Sequence, residues 1–233
     1  MINLLVDIDG TILLVPREVD TNSSAIMFKK IFNIEASEEM VENSARPERY
    51  IISEVVKKFG IDPETKLEAA YRAWGEANYE LLKNNPGKIM PGIIELFDNL
   101  KNNPNVKLLL LTGNSRARAE SKLKSTGLDV YFRDPKTQKL LGVFGEDGYT
   151  REELLLKFLK NKKTDDKFII LDDSLLGGQM AKKNNVPIIL VATGKFSIEQ
   201  LSPYSENVFE DLGEGRWKEV LRIIVNNRSI NIK

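Results

Sequence analysis

The chain has 233 residues, 42% of them hydrophobic and 29% charged, which suits one large domain or a core with an insert. Lys plus Arg and Asp plus Glu both number 34, so the formal net charge is zero and nothing pulls the chain as a whole towards nucleic acid or an anionic membrane. With no Cys and no His, the chain has no disulfide, thiolate metal site, Cys nucleophile, Ser-His-Asp triad, His-based zinc site or His-type phosphotransfer centre, and catalysis must run on carboxylates, hydroxyls, amines, guanidinium groups or a metal ion.

The first element is the apolar run Leu4-Leu5-Val6, read as a short buried strand that stops at Asp7-Ile8-Asp9-Gly10-Thr11. Residues two apart on an extended chain point to the same side, so Asp7 and Asp9 are expected to leave the strand end together, with Gly10 allowing a sharp turn. One such carboxylate can be a nucleophile and the other a general acid/base, and the pair favours a hard cation such as Mg2+. As an isolated motif it reads equally well as an acidic turn.

A short apolar stretch at 12–15 ends at Pro16. From about 23 to 84 the spacing is helical: Ala25, Ile26, Phe28, Ile31 and Phe32, then Ile51, Ile52, Val55, Val56 and Phe59, then Leu67, Ala70, Tyr71, Trp74 and Tyr79, with Gly60 and Pro63 as punctuation. This segment is a helical insert without strands. An amphipathic helix follows Pro91-Gly92, a second buried strand runs over 106–111 into Thr112-Gly113-Asn114-Ser115, and a helix over 117–125 closes at Gly127. Residues 130–144 are looser. Thr150-x-x-Glu153 predicts a capping box opening a helix to Lys160. A third buried strand at 168–171 ends in Asp172-Asp173-Ser174, and a helix over about 177–184 precedes a strand at 188–191. A short edge strand is expected at 208–209, a closing helix at 217–225, and a frayed polar tail over 226–233. Alternating strands and helices predict an α/β fold, a Rossmann-like three-layer parallel sheet core carrying a helical cap domain. The expected boundaries are 1–15 and 88–233 for the core and 16–87 for the cap. The N-terminus lacks a basic n-region and a long apolar h-region, and no apolar run spans a bilayer, so a cytoplasmic protein without nucleic-acid or membrane partners is expected.

Three apolar strands thus end in reactive residues, which a parallel sheet places on one edge. In order and spacing they resemble the haloacid dehalogenase superfamily. Asp7-x-Asp9-Gly10-Thr11 is similar to its first motif, whose first Asp attacks phosphorus to form an aspartyl-phosphate and whose second protonates the leaving group and then activates water. Leu111-Thr112-Gly113-Asn114 resembles the second motif, whose hydroxyl, with the following N–H groups, binds the transferring phosphoryl group. The third motif usually supplies Lys. Here the best match is Arg151, in Gly145-x-Asp147 followed by Arg151-x-x-Leu154, with Lys157 the alternative. The fourth motif normally has Gly-Asp and a later Asp. Here Asp172 replaces the Gly and Gly177 the late acid, a swap similar to the acidic pair of beta-phosphoglucomutase-like members.

The resemblance implies Mg2+ held by the Asp7 carboxylate, the Asp9 main-chain carbonyl and Asp173, with Asp172. The insert sits where phosphoglycolate phosphatase-like members carry a substrate-selecting cap, and Arg46, Arg49 and Tyr50 are its candidate substrate contacts beside Thr112, Gly113 and Asn114. The expectation is a Mg2+-dependent phosphatase of a small phosphorylated metabolite. A phosphomutase, and a catalytically weak member that binds a phosphorylated ligand or a protein, are the alternatives. Oligomeric state is not legible.

Overall fold

The computed structural model describes residues 1–161 and 166–226. In chain order the elements are β1 (Ile2–Val6), β2 (Leu13–Leu14), α1 (Arg17–Phe32), α2 (Glu48–Lys57), α3 (Leu67–Leu82), β3 (Lys88–Ile89), α4 (Ile93–Lys101), β4 (Val106–Leu111), α5 (Arg116–Thr126), β5 (Gly142–Val143), α6 (Arg151–Asn161), β6 (Lys167–Asp172), α7 (Leu175–Lys183), β7 (Ile188–Val191), α8 (Ile198–Leu201), β8 (Val208–Phe209) and α9 (Trp217–Val225). All but the first residue of the expected frayed tail lies outside the described residues.

Six strands form one parallel sheet in the order β5-β4-β1-β6-β7-β8. The central strands carry unbroken apolar runs, Leu4 to Val6, Leu108 to Leu111 and Phe168 to Leu171, because both of their faces are covered there. Leu4, Val6, Leu108, Leu110, Ile169 and Leu171 join one hydrophobic cluster with α4, α5 and α9. Leu5, Leu109, Leu111, Phe168 and Ile170 join another with α6, α7 and α8. This is the three-layer α/β architecture expected. The two-residue β5, absent from the sequence reading, is too short to show periodicity and forms only because Leu110 and Leu111 offer it an edge.

Residues between β2 and β3 are helical, with α1, α2 and α3 sharing a separate cluster centred on Phe28, Ile52, Val55 and Trp74. The insert enters and leaves through an antiparallel ribbon in which Leu13 faces Ile89 and Leu14 faces Lys88. Helix α1 starts at Arg17, earlier than the apolar spacing indicated, because its first turns are polar. Its expected core position Ile26 is largely exposed, while Ser23 and Ser24 are buried. Ser23 Oγ accepts from Trp74 Nε1 at 3.1 Å, and Ser24 Oγ accepts from the Glu38 amide at 3.0 Å. In α3, Tyr79 is exposed and Asn78 is buried in its place, accepting from Ser121 Oγ at 2.7 Å. A polar seam therefore joins α1, α3 and α5, and hydrophobic periodicity cannot register it.

Where α3 crosses α5, a Cβ on Gly75 would come within 2.7 Å of the Ala117 Cβ and 2.8 Å of its carbonyl carbon. Backbone cannot yield there as a flexible side chain would. Gly75→Ala gains about 1 kcal/mol of helix propensity but forces the helices apart at about 1–3 kcal/mol. A lower denaturant midpoint is expected, and an unchanged or raised midpoint would show that the helices separate freely. Among the described residues no helix is long and apolar enough to cross a membrane.

Candidate active site

From β1 the chain builds outward through β4 and β5 on one side, then crosses to β6, β7 and β8 on the other. Such a switch point opens a crevice at the carboxyl ends of the strands, and the reactive strand ends lie around it. The Asp7 amide donates to the Leu171 carbonyl at 3.0 Å, fixing Asp7 just beyond β1. The chain then folds over itself, with the Ile12 amide donating to the Ile8 carbonyl at 3.0 Å. Gly10 takes a φ of 76°, and a Cβ there would run into the Asp173 carboxylate, so conformation and space both demand Gly. A cavity of about 460 Å³ opens above, lined by Asp7, Asp9, Thr112, Asn114, Arg151 and Asp173 from the strand ends and by Asp20, Glu38 and Arg46 from the insert.

Arg151 grips Asp7 with both arms of its guanidinium, Nη1 at 3.2 Å from Oδ1 and Nη2 at 2.9 Å from Oδ2. Its Nε donates to the Ala45 carbonyl of the insert at 2.9 Å, and Nη1 also donates to the Leu111 carbonyl at 3.2 Å. Both side chains are buried. Burial raises the Asp7 pKa to about 6 against the opposing pull of Arg151, with the Asp172 charge adding to the rise. Burial works against the Arg151 charge too, but Asp7 and Asp172 outweigh it and hold the guanidinium protonated. Arg151 is placed by the helix start. Thr150 Oγ1 accepts from the Glu153 amide at 3.1 Å, while the Glu153 carboxylate accepts from the Tyr149 amide at 2.8 Å. The expected reciprocal box is therefore displaced by one residue on its return bond. Lys157 is exposed and pairs with Asp147 at 2.6 Å.

Asp172 ends β6 fully buried. Its Oδ1 accepts from the Ser174 amide at 2.8 Å and from Ser174 Oγ at 2.6 Å, and Ser174 Oγ in turn accepts from the Gly177 amide at the head of α7. Asp172 Oδ2 is buried without a hydrogen-bond partner, 4.0 Å from Arg151 Nη1. A Cβ on Gly177 would overlap the Asp172 carboxylate, so the acid at 172 occupies the room a side chain at 177 would need. Asp173 Oδ1 accepts from Thr11 Oγ1 at 3.0 Å. Burial, then the Asp172 and Asp7 charges, push the Asp173 pKa well above the carboxylate range.

Asp7, Asp172 and Asp173 each offer an oxygen, all within 4.8 Å of one another. Three crowded, desolvated carboxylates with one orphaned oxygen and a single guanidinium between them fit a hard divalent cation with oxygen ligands. Asp9 was expected to contribute its main-chain carbonyl. Its carboxylate turns elsewhere, Oδ2 accepting from Asn114 Nδ2 at 2.7 Å and Oδ1 meeting Lys122 Nζ at 2.7 Å. Asn114 Nδ2 also donates to Thr112 Oγ1 at 2.9 Å, tying the second motif to the first.

Gly113 lines the cavity, and its carbonyl accepts from the Glu48 amide at 2.8 Å. Arg46 lines it as well, its guanidinium 5.1 Å above the Tyr50 ring and its Nε buried without a partner. Arg49 is not among the lining residues. It pairs with Glu64 at 3.1 Å and lies 4.7 Å over the Tyr149 ring, because the first turn of α2 faces it sideways. Sequence reasoning missed Lys122, Arg118 and Asp20. Arg118 and Lys122 stand four apart on α5, a signal of one helix face, but a basic face ordinarily reads as solvated.

A family model described as haloacid dehalogenase-like hydrolase matches residues 3–185. No curated protein matches the chain. Among solved structures, a candidate beta-phosphoglucomutase from Bacteroides vulgatus superposes with a TM-score of 0.62 at 21% identity, over 96% of this chain and 90% of that one. CbbY from Rhodobacter sphaeroides, solved with phosphate, gives 0.62 at 16% identity over 91% and 95%. A candidate phosphatase from Clostridium difficile gives 0.55 at 23% identity over 94% and 97%. At these identities the superpositions speak for the fold.

Proposed function

The chain belongs to the haloacid dehalogenase-like hydrolases, and from that premise we propose that it is a Mg2+-dependent phosphatase of a small phosphomonoester, working through an aspartyl-phosphate on Asp7. The observation that carries the reading is the buried Asp7 carboxylate, gripped by Arg151 beside Asp172 and Asp173 at the sheet's switch point. Residues 16–87 act as the cap and residues 1–15 and 88–233 as the core. Asp7, Asp172 and Asp173, with the Asp9 main-chain carbonyl, would hold Mg2+, which would supply positive charge to offset the carboxylates and the phosphate.

The steps belong to the chain's own groups. An Asp7 oxygen attacks phosphorus, and the bond from phosphorus to the leaving oxygen breaks. That oxygen keeps the electron pair and takes a proton from the Asp9 carboxyl. Asp9, now a carboxylate, then accepts a proton from water as the water oxygen attacks the phosphoenzyme, releasing phosphate and restoring Asp7. One of the two Arg151 bonds to Asp7 must yield for the attack, and the Ala45 and Leu111 carbonyls hold the guanidinium in place when it does. Thr112 offers its hydroxyl and Gly113 its main-chain amide to the phosphoryl oxygens, while Asn114 holds Thr112 and Asp9 in place.

Phosphate release from a panel of small phosphomonoesters, run with Mg2+ and again with chelator, tests the proposal. Mg2+-dependent release from at least one ester is expected. No release from any would leave the family membership standing and the phosphatase reading without support. The Asp172-Asp173-Ser174 arrangement favours phosphomutase chemistry as a second reading. It would show as isomerisation of a sugar monophosphate in the presence of its bisphosphate.

A further inference from the structure

Lys122 sits on α5 with its side chain almost wholly covered, yet its ammonium reaches the site. Nζ lies 2.7 Å from Asp9 Oδ1 and 3.1 Å and 3.3 Å from the two carboxylate oxygens of Asp20, on α1 of the insert. We infer that Lys122 is a positioning residue for Asp9, itself held in place by Asp20. The inference rests on the role given to Asp9 in the proposed phosphatase reaction.

The geometry favours positioning over simple anchoring of the insert. Asp9 is the most open of the four acids, its side chain 40% exposed against 4% or less for Asp7 and Asp172. A short carboxylate in that setting turns about two side-chain torsions unless something stops it. Two charge-assisted or amide donors stop it here, Lys122 on one oxygen and Asn114 on the other. Anchoring of the insert to α5 is already done by Arg118, one turn earlier. Its guanidinium meets Asp20 at 2.7 Å, Glu48 at 3.1 Å and Glu38 at 3.6 Å. Lys122 shares only Asp20 with that anchor, and its shortest contact is with Asp9.

Burying an ammonium beside a guanidinium costs several kcal/mol unless carboxylates face it. Asp20 and Asp9 both do so, and Asp20 shares itself between Arg118 and Lys122. Asp20 therefore keeps Lys122 charged and straight while the ammonium aims Asp9 at the leaving group. The insert, through one carboxylate, then helps decide how well the core delivers a proton.

The test separates leaving groups. kcat/KM reports events through the first irreversible step, here phosphoryl transfer to Asp7. An aryl ester whose phenolate leaves unprotonated makes little use of Asp9, whereas an alkyl ester depends on it. Lys122→Met, which keeps the stem and drops the charge, is expected to lower kcat/KM on the alkyl phosphate by roughly 10²-fold and on the aryl phosphate by less than about 10-fold. Lys122→Arg should recover part of the alkyl activity, and Asp20→Asn should show the same selective loss in smaller measure. Equal losses on both esters, or an unchanged alkyl rate, overturn the assignment. Should Lys122→Met not fold, the ester selectivity of Asp20→Asn decides in the same two ways. Wild-type protein that releases phosphate from neither ester removes the phosphatase reading and this inference together, an outcome distinct from active wild type with equal losses.

Discussion

Asp7→Asn is expected to abolish phosphate release, by roughly 10⁴-fold or more, without lowering thermal stability. The exchange removes the attacking oxygen's charge and leaves the shape of the side chain. Activity alone would not separate a missing nucleophile from a damaged fold, so the stability half of the prediction matters. Losing one partner of a buried ion pair ordinarily destabilises, and Arg151 does lose a partner. Yet burial and the Asp172 charge already press the Asp7 pKa up from 3.8 to about 6 despite that guanidinium. The folded protein therefore disfavours this carboxylate relative to the unfolded chain, and an amide relieves the crowding. The pH dependence follows in sign. A raised acid contributes stability below its unfolded pKa and loses it as pH rises through the folded value. In chelator, the mutant's melting temperature should gain on wild type between about pH 4 and pH 6 and stay level with it or above it beyond. A mutant that melts well below wild type at pH 7 would show that the Arg151 pair dominates the site and that the crowding argument is wrong.

Arg151→Met is expected to do the opposite to stability. The guanidinium is the only cation bonded to Asp7 among the described residues, and it also satisfies the Ala45 and Leu111 carbonyls. Removing it leaves three neighbouring carboxylates facing one another and breaks a buried pair, a loss of about 3–5 kcal/mol. A fall of about 10²–10³-fold in turnover should accompany it, the scale of losing a fixed donor to developing charge. Mg2+ should recover much of the lost stability and little of the rate, since a divalent ion answers the carboxylates without tethering Asp7 to the insert. Urea unfolding with and without Mg2+ measures both. Wild-type stability in chelator would mean the carboxylates are largely protonated there and need no cation.

How far this was legible beforehand differs by residue. β1, β4, β6 and β7 are buried on both faces, so their apolar runs are unmistakable, and the acids or Thr that end them fall on one edge by topology alone. Asp7 and Asp173 come together at that edge, and Arg151, from the start of α6, reaches Asp7 there. Arg49 does not reach the cavity, because its direction depends on how the first turn of α2 faces, which periodicity does not encode. Ser23, Asn78, Arg118 and Lys122 were invisible for a deeper reason. Each is a polar residue in a buried position, and it is buried only because a partner distant in the chain satisfies it. Nothing local announces such a pairing. Gly177 was legible as a missing acid, but that Asp172 fills the very space it vacates emerges only in three dimensions.

Arg118 has one further consequence. It belongs to a helix of the sheet layer, lies 4.3 Å under the Trp74 ring, and finds its three carboxylates on Asp20, Glu38 and Glu48, every one of them in the insert. Were the insert to melt by itself, all three ion pairs and the Trp74 cover would be lost together and the guanidinium would return to water. The slender ribbon at Leu13 and Leu14 looks like a hinge between independent bodies, but the Arg118 pairs are a second, buried tie between them. Insert and sheet are therefore expected to unfold in one transition, and an opening that keeps these pairs is a slight rocking of the insert, not a detachment.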